Sequence, residues 1–147
     1  MSDRREILVT GSIPGDPHPQ GRGRIVRRGR FASIKDPDDS FNWKAEVKTM
    51  LAEKFQRPIE GPIHLSLECR FQMPKSRHRK KSPRPSEWHI GQKDCDNLAK
   101  SFMDAGQGIG WLNDGQISSL SVRKVYAAQG ERSETIFLIR SLDPLTS

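Results

Sequence analysis

The feature that most limits the fold is a run of nine residues, from Ile63 to Phe71, in which apolar and polar side chains alternate without exception. Side chains of a β-strand point in turn to the two faces of a sheet, so this pattern predicts a half-buried strand. Cys69 belongs to the apolar face, where it is expected to be a small core residue. We therefore expect a sheet that contains this strand.

The remaining patterns add two helices and further strands. Apolar residues at helical spacing predict an amphipathic helix that ends before Pro58, and a second helix is predicted over 97–105. Strands are predicted at 7–9, 117–126 and 135–139, the last two joined as a hairpin through Gln129 to Glu131. This order predicts an α+β domain with a mixed or antiparallel sheet and helices packed on it. The stripe of the first helix consists of Trp43, Val47, Met50, Leu51 and Phe55.

Length and composition indicate one polar domain. A chain of 147 residues suits a single compact domain with a modest core, expected over about 6–141, and a loose tail over 143–147. Ten prolines and twelve glycines imply long loops, so dimerisation would be a natural source of further burial. Residues 74–93, called here the basic loop, are too basic and proline-rich to form a packed core.

The charge balance favours a polyanionic partner. Lys and Arg outnumber Asp and Glu by 25 to 18, a net charge of +7, although many basic proteins bind no nucleic acid. The two cysteines lack the spacing of a zinc site or a disulfide scaffold. No segment resembles a signal peptide or a membrane span, so we expect a cytoplasmic protein.

Acidic residues cluster around the second helix. Asp94 and Asp96 lie two apart at its start, and Lys100 and Asp104 follow at one-turn intervals on the same face. Asp114 ends a glycine-rich turn before a strand, where its side chain can be aimed back at the helix start. Carboxylates that converge repel one another unless a cation such as Mg²⁺ lies between them. The alternative is that the first two aspartates simply cap the helix.

The segment KDCDNLAKSFMDAGQGIGWLNDGQI, residues 93–117, resembles the signature of the RusA family of Holliday junction resolvases, and the similarity extends over about residues 6–126. The resemblance implies a single RusA-like domain. It also implies that Asp94, Asp96 and Asp114 are catalytic carboxylates that hold Mg²⁺ or Mn²⁺, and that Lys100 is the catalytic lysine. Asp104 matches a recurrent acid for which helix surface, an ion pair to Lys100 and catalysis all remain open. The chain departs from the family at Asn113, where an acid is usual.

What the resemblance implies for function is a Mg²⁺-dependent, homodimeric endodeoxyribonuclease, of phage or prophage origin, that resolves four-way DNA by paired symmetric nicks in recombination and repair. Two basic clusters would then grip DNA phosphates, although solvated, flexible loops are the alternative. Trp88 would stack on a base or anchor the dimer. The predicted DNA-binding residues are Arg22, Arg24, Arg27, Arg28, Arg30, Lys75, Arg77, Arg79, Lys80, Lys81 and Arg84.

Three other functions fit parts of the sequence. A broader structure-selective nuclease would cut flaps or other branched DNA with the same carboxylates. A basic, non-catalytic DNA-binding accessory protein would need none of them, yet all four predicted catalytic residues are present together. An RNA-binding protein of ribosomal type would explain the charge but not the acids.

Overall fold

The computed structural model describes residues 6–19, 24–28, 31–35 and 38–145. Within these ranges the chain forms one α+β domain, as predicted, with two helices and seven strands. Two short 3₁₀ turns, at Lys75–Arg77 and Asp114–Gln116, complete the regular structure of this part of the chain. The elements are β1 (Leu8–Pro14), β2 (Arg24–Arg28), β3 (Phe31–Lys35), α1 (Asp38–Lys54), β4 (Ile63–Phe71), β5 (Glu87–Trp88), α2 (Cys95–Gly106), β6 (Ile117–Tyr126) and β7 (Glu134–Ser141).

Five strands form a mixed sheet in the order β1-β7-β4-β6-β5, with β4 at its centre. The β4 strand pairs antiparallel with β7 and parallel with β6, while β1 and β5 lie antiparallel at the edges. Parallel neighbours require a crossover, which α2 provides. The crossover brings the start of β6 beside the start of β4, because Ile63 pairs with Ile117. The two helices pack against each other and against the sheet.

The predicted core is confirmed. Every second residue of β4 is buried, in the alternation that the sequence shows. Burial raises the pKa of the Cys69 thiol to about 12, which fits an inert core residue. Gly11 of β1 allows close packing here, since a Cβ atom would lie 2.8 Å from Cζ of Phe137. Besides β4, the fully buried side chains include Val47, Leu51, Leu98, Phe102, Trp111 and Ile139.

The predicted hairpin between the last two strands is wrong. A tight turn does form there, with Gly130 at a φ of 86° and the amide of Glu131 bonded to the carbonyl of Ala128. The strands on either side of this turn do not pair, because β4 lies between them. Two strand spacings are about 10 Å, which the connecting residues span easily. The apolar face of β4 favours the centre of the sheet, a preference that a local turn signal does not express.

A short hairpin lies near the N-terminus, where β2 pairs antiparallel with β3. Arg24, Arg27 and Arg28 lie on β2, whereas Arg22 and Arg30 fall outside the described residues, as do the side chains of all five. Neither α1 nor α2 has the length and apolar composition needed to cross a membrane.

Candidate active site

The helix α2 begins immediately after Asp94, which is its N-cap residue. The backbone of Asp94 is extended (φ −77°, ψ 137°), but its carboxylate makes no capping hydrogen bond. Asp96 lies in the first turn and is exposed. Neither carboxylate has a hydrogen bond or ion pair within the described part of the chain. Capping therefore does not account for the Asp94 side chain, and both acids are available to an external cation.

Lys100 follows Asp96 by one helical turn and is also exposed. The possible ion pair between Lys100 and Asp104 does not form. Asp104 instead lies 4.0 Å from the ammonium of Lys44 on α1, measured between Nζ and Oδ2. The start of α2 thus presents two carboxylates and one ammonium to solvent on adjacent turns.

Asp114 lies beside the C-terminal half of α2. Its Oδ1 accepts a hydrogen bond from Nε1 of Trp111 at 3.3 Å, and the same Nε1 donates to the carbonyl of Met103 at 3.1 Å. Burial raises the pKa of Asp114, and the neighbouring Asp104 carboxyl raises it further, while the Trp111 hydrogen bond opposes the shift. Asp104 and Asp114 therefore form a close acidic pair, a neighbour relation that the sequence did not indicate.

The expectation that Asp114 faces the helix start is wrong within one protomer. The crossover through α2 leaves the 107–116 connection at the opposite end of the helix from Asp94. Residues 94 and 104 are about 15 Å apart along the axis, at 1.5 Å per residue. Among the described residues, no group of three or more His, Cys, Asp or Glu side chains is close enough to hold a metal ion. Asp94 and Asp96 both lie at the start of α2, whereas Asp114 lies near the other end of the helix.

The donor chemistry nevertheless fits a hard divalent cation. Carboxylate oxygens are the ligands that Mg²⁺ prefers, and this ion retains several water ligands. Two carboxylates can therefore supply part of a Mg²⁺ site. Asp94 and Asp96 are two such acids without a competing bond in the described structure. A third carboxylate would have to come from outside this end of the protomer.

Asn113, the position at which this chain departs from the signature that it resembles, is a structural cap. Its Oδ1 accepts from the amide of Gly115 at 2.7 Å and forms a capping box with Gln116. Oε1 of Gln116 accepts from the amides of Leu112 and Asn113, and its Nε2 donates to the carbonyls of Ile59 and Gly61. The sequence carried a signal for this cap, because Asn-x-x-Gln before an apolar run is a capping-box pattern.

The basic loop is held in place by polar contacts. Arg77 and Arg84 both pair with Glu87, and the Arg84 guanidinium lies 3.2 Å from Oε1 of that carboxylate. The hydrogen bond from Arg77 lowers the pKa of Glu87. These two arginines, predicted to bind DNA, thus have a partner inside the loop. The other predicted contacts of the loop are exposed: Lys75, Arg79, Lys80 and Lys81.

The last residues of the basic loop are fixed on β6 just before Asp94. The ammonium of Lys124, on β6, donates to the carbonyls of Gly91, at 2.8 Å, and Lys93. The ring of His89 stacks on Tyr126, with ring centroids 4.4 Å apart. The sequence pointed to none of these contacts, which set the path of the chain into α2.

Comparison with known proteins finds a family match that includes α2 and the acids at both of its ends. The family model described as Endodeoxyribonuclease RusA matches residues 14–134. The uncharacterized protein YqaN of Bacillus subtilis (strain 168) is 29% identical over 126 residues, which are 80% of this chain and 87% of that protein. The family match runs from the end of β1 to the start of β7 and includes every predicted catalytic residue.

Proposed function

This chain belongs to the RusA family of endodeoxyribonucleases, and on that premise we propose that it is a Holliday junction resolvase that cuts four-way DNA by paired, symmetric nicks in recombination and repair. The observation that carries the proposal is the acid pair at the start of α2, Asp94 and Asp96. An endodeoxyribonuclease hydrolyses phosphodiester bonds within DNA, and such hydrolysis commonly uses carboxylate-held divalent cations.

In the proposed reaction Asp94 and Asp96, together with an Asp114 carboxylate, would hold Mg²⁺, which Mn²⁺ could replace. When bound, Mg²⁺ would activate a water for attack on phosphorus and offset charge on the phosphate oxygens. Lys100 lies one turn beyond Asp96 and can donate to a phosphate oxygen, where a positive charge stabilises the charge that develops in the transition state.

The separation of the acids along α2 supports the proposal of a homodimer. Asp94 and Asp96 lie at one end of the helix and Asp114 lies near the other. A two-fold axis that sets two copies of α2 antiparallel would bring the partner subunit's Asp114 to the first two acids. It would create two equal sites, as paired nicks in a two-fold-symmetric junction require.

Basic side chains would contact the DNA away from the cut. Phosphate contacts from the arginines of residues 22–30 and the exposed cations of the basic loop would hold the duplex arms without reading sequence. Such contacts make affinity fall steeply with salt.

The test uses a labelled mobile four-way junction, a flap and a linear duplex, each with Mg²⁺, Mn²⁺ or EDTA. We expect symmetric nicks in the junction alone, with either metal, and none from Asp96→Asn, which should still bind. Equal cutting of the flap would favour a broader structure-selective nuclease. Binding without cleavage by the wild type would overturn the nuclease proposal.

A mixed-dimer experiment tests the shared site. Asp96→Asn and Asp114→Asn protomers are each expected to be inactive alone. In a shared arrangement their mixed dimer has one site with both mutations and one intact site, so it should make single nicks in a cruciform plasmid. If each protomer carried a complete site, the mixture would remain inactive.

A further inference from the structure

A single side chain closes the tip of the basic loop. Gln129 lies in the connection between β6 and β7, far from the loop in sequence. Its Oε1 accepts from the amides of Arg79, at 2.9 Å, and Arg84, at 3.1 Å, and its Nε2 donates to the carbonyl of Arg79 at 2.9 Å. Its own amide donates to the carbonyl of Arg84 at 2.9 Å. Both ends of the segment 79–84, called here the tip loop, are therefore tied to one residue.

Further contacts fix the base of the tip loop. Nε of Arg84 donates to the carbonyl of Arg77 at 2.7 Å, and both guanidinium groups pair with Glu87. The Arg77 guanidinium also lies over the ring of Tyr126, 5.1 Å from its centroid. These two arginines stabilise the loop, so they have less capacity to bind an external anion.

The cations that remain project from the tip. Arg79, Lys80 and Lys81 are consecutive and exposed, and their side chains have no acidic partner within the described residues. Three like charges in a closed loop repel one another, and closure limits how far they can move apart. A polyanion that binds there would offset this repulsion and release counterions.

We propose that the tip loop is a preformed clamp for the phosphates of one duplex arm, with Gln129 as the residue that preorganises it. The inference rests on the proposed function, since it assigns the arm of the DNA substrate to this surface. Charge complementarity supports duplex DNA as the occupant. So does continuity of the chain, because the same basic loop runs on into Asp94 at the start of α2.

Charge and preorganisation make separable contributions to binding. Each lysine that contacts a phosphate adds about 0.9 to the slope of log affinity against log salt concentration. Gln129 carries no charge, so it should leave that slope unchanged. Replacing Gln129 should lower the affinity for DNA without changing the slope, because a loop that is already ordered loses less conformational entropy on binding.

The experiment measures binding of labelled linear duplex and four-way junction over a range of salt in EDTA. Lys80→Ala with Lys81→Ala should weaken binding about tenfold at moderate salt and reduce the slope by about 1.8. Gln129→Ala should weaken binding about fivefold without changing the slope. The control is Gln56→Ala, which replaces an exposed glutamine just after α1.

For each variant, affinity for the linear duplex and affinity for the four-way junction should fall by the same factor, because phosphate contacts do not depend on branching. Trypsin should also cut the tip loop faster in Gln129→Ala. Wild-type affinity in Gln129→Ala, an unchanged slope in the lysine variant, or a loss on the junction alone would each overturn the clamp. The binding assay contains no metal, so it is independent of cleavage. If the variants bind as expected but the wild type does not cut DNA with Mg²⁺, only the nuclease proposal is refuted. If the wild type cuts DNA but the variants bind as tightly as the wild type, only the clamp is refuted.

Discussion

The two ends of α2 differ in how their polar side chains are used. At the start, Asp94, Asp96 and Lys100 have no bonded partner among the described residues and face solvent. At the end, Asp104 and Asp114 lie among internal contacts that include an ion pair and a tryptophan hydrogen bond. At the start the charged side chains are open to an external ligand, whereas at the end they are also engaged in contacts within the fold.

This difference separates ligand binding from stability within one helix. Charged groups without partners contribute little to folding and stay available for a metal or a phosphate. A buried donor left without a partner costs about 1–3 kcal/mol, so a bond such as that from the buried Trp111 indole to Asp114 contributes to stability. Substitutions at the start should therefore change activity with little effect on the free energy of unfolding. Substitutions at the end should change that free energy, and at Asp114 they should lower activity as well.

The largest effect is expected at the helix start. Asp94→Asn should lower junction cleavage at least about 100-fold, because even residues that only support metal ligands cost 10–100-fold. DNA affinity and the urea midpoint should stay close to wild type. Asp143→Asn, an exposed aspartate in the C-terminal segment, is the control. A large loss of stability in Asp94→Asn would mean that this end is structural as well.

At the other end, Gln116→Ala removes four hydrogen bonds between the turn before β6 and its surroundings. The free energy of unfolding should fall by about 1–2 kcal/mol, since four backbone hydrogen bonds are lost, of which only the bond to the carbonyl of Ile59 is partly buried. Urea denaturation measures the change, with Gln56→Ala as the exposed control. An unchanged midpoint would show that water replaces these contacts at no cost.

Lys124 tests whether the approach to the helix start matters. Lys124→Ala should lower cleavage about tenfold and raise the Mg²⁺ concentration needed for half-maximal rate, because the segment that leads into Asp94 loses its anchor. Lys124→Arg keeps a donor and should restore part of the rate. If alanine and arginine variants behave alike, the ammonium has no positioning role.

The smallest effect concerns pH. Burial lowers the pKa of His89, helped by the charges of Lys124, Lys93 and Arg77. The folded state thus disfavours protonation, so stability that is present above pH 6.5 is lost as the pH falls towards the lower folded pKa. The unfolding temperature of His89→Phe minus that of wild type should be larger at pH 5.5 than at pH 8. A constant difference would exclude this histidine as the cause.

Local sequence pattern predicted most elements well. The β4 and β6 boundaries agree with the predicted strands, and α2 exceeds its predicted range by three residues in total. Periodicity succeeds here because these elements bury one face against a single core. It failed at the 128–131 turn, where local chemistry predicts a turn but not which strand pairs across it.

The candidate site was predictable as a set of residues but not as an arrangement. Aspartates two apart in sequence stay within one turn of each other, so the sequence alone determined that both acids lie at this helix start. It also determined the core face of β4 and the basic character of residues 74–93. Only the tertiary structure decided that Asp114 lies beside Asp104, that Asn113 caps a turn, and that Gln129 closes the tip loop. Each of these contacts depends on the crossover through α2 or on the connection past β4. Such long-range pairing is set by burial over the whole domain, which no local spacing records.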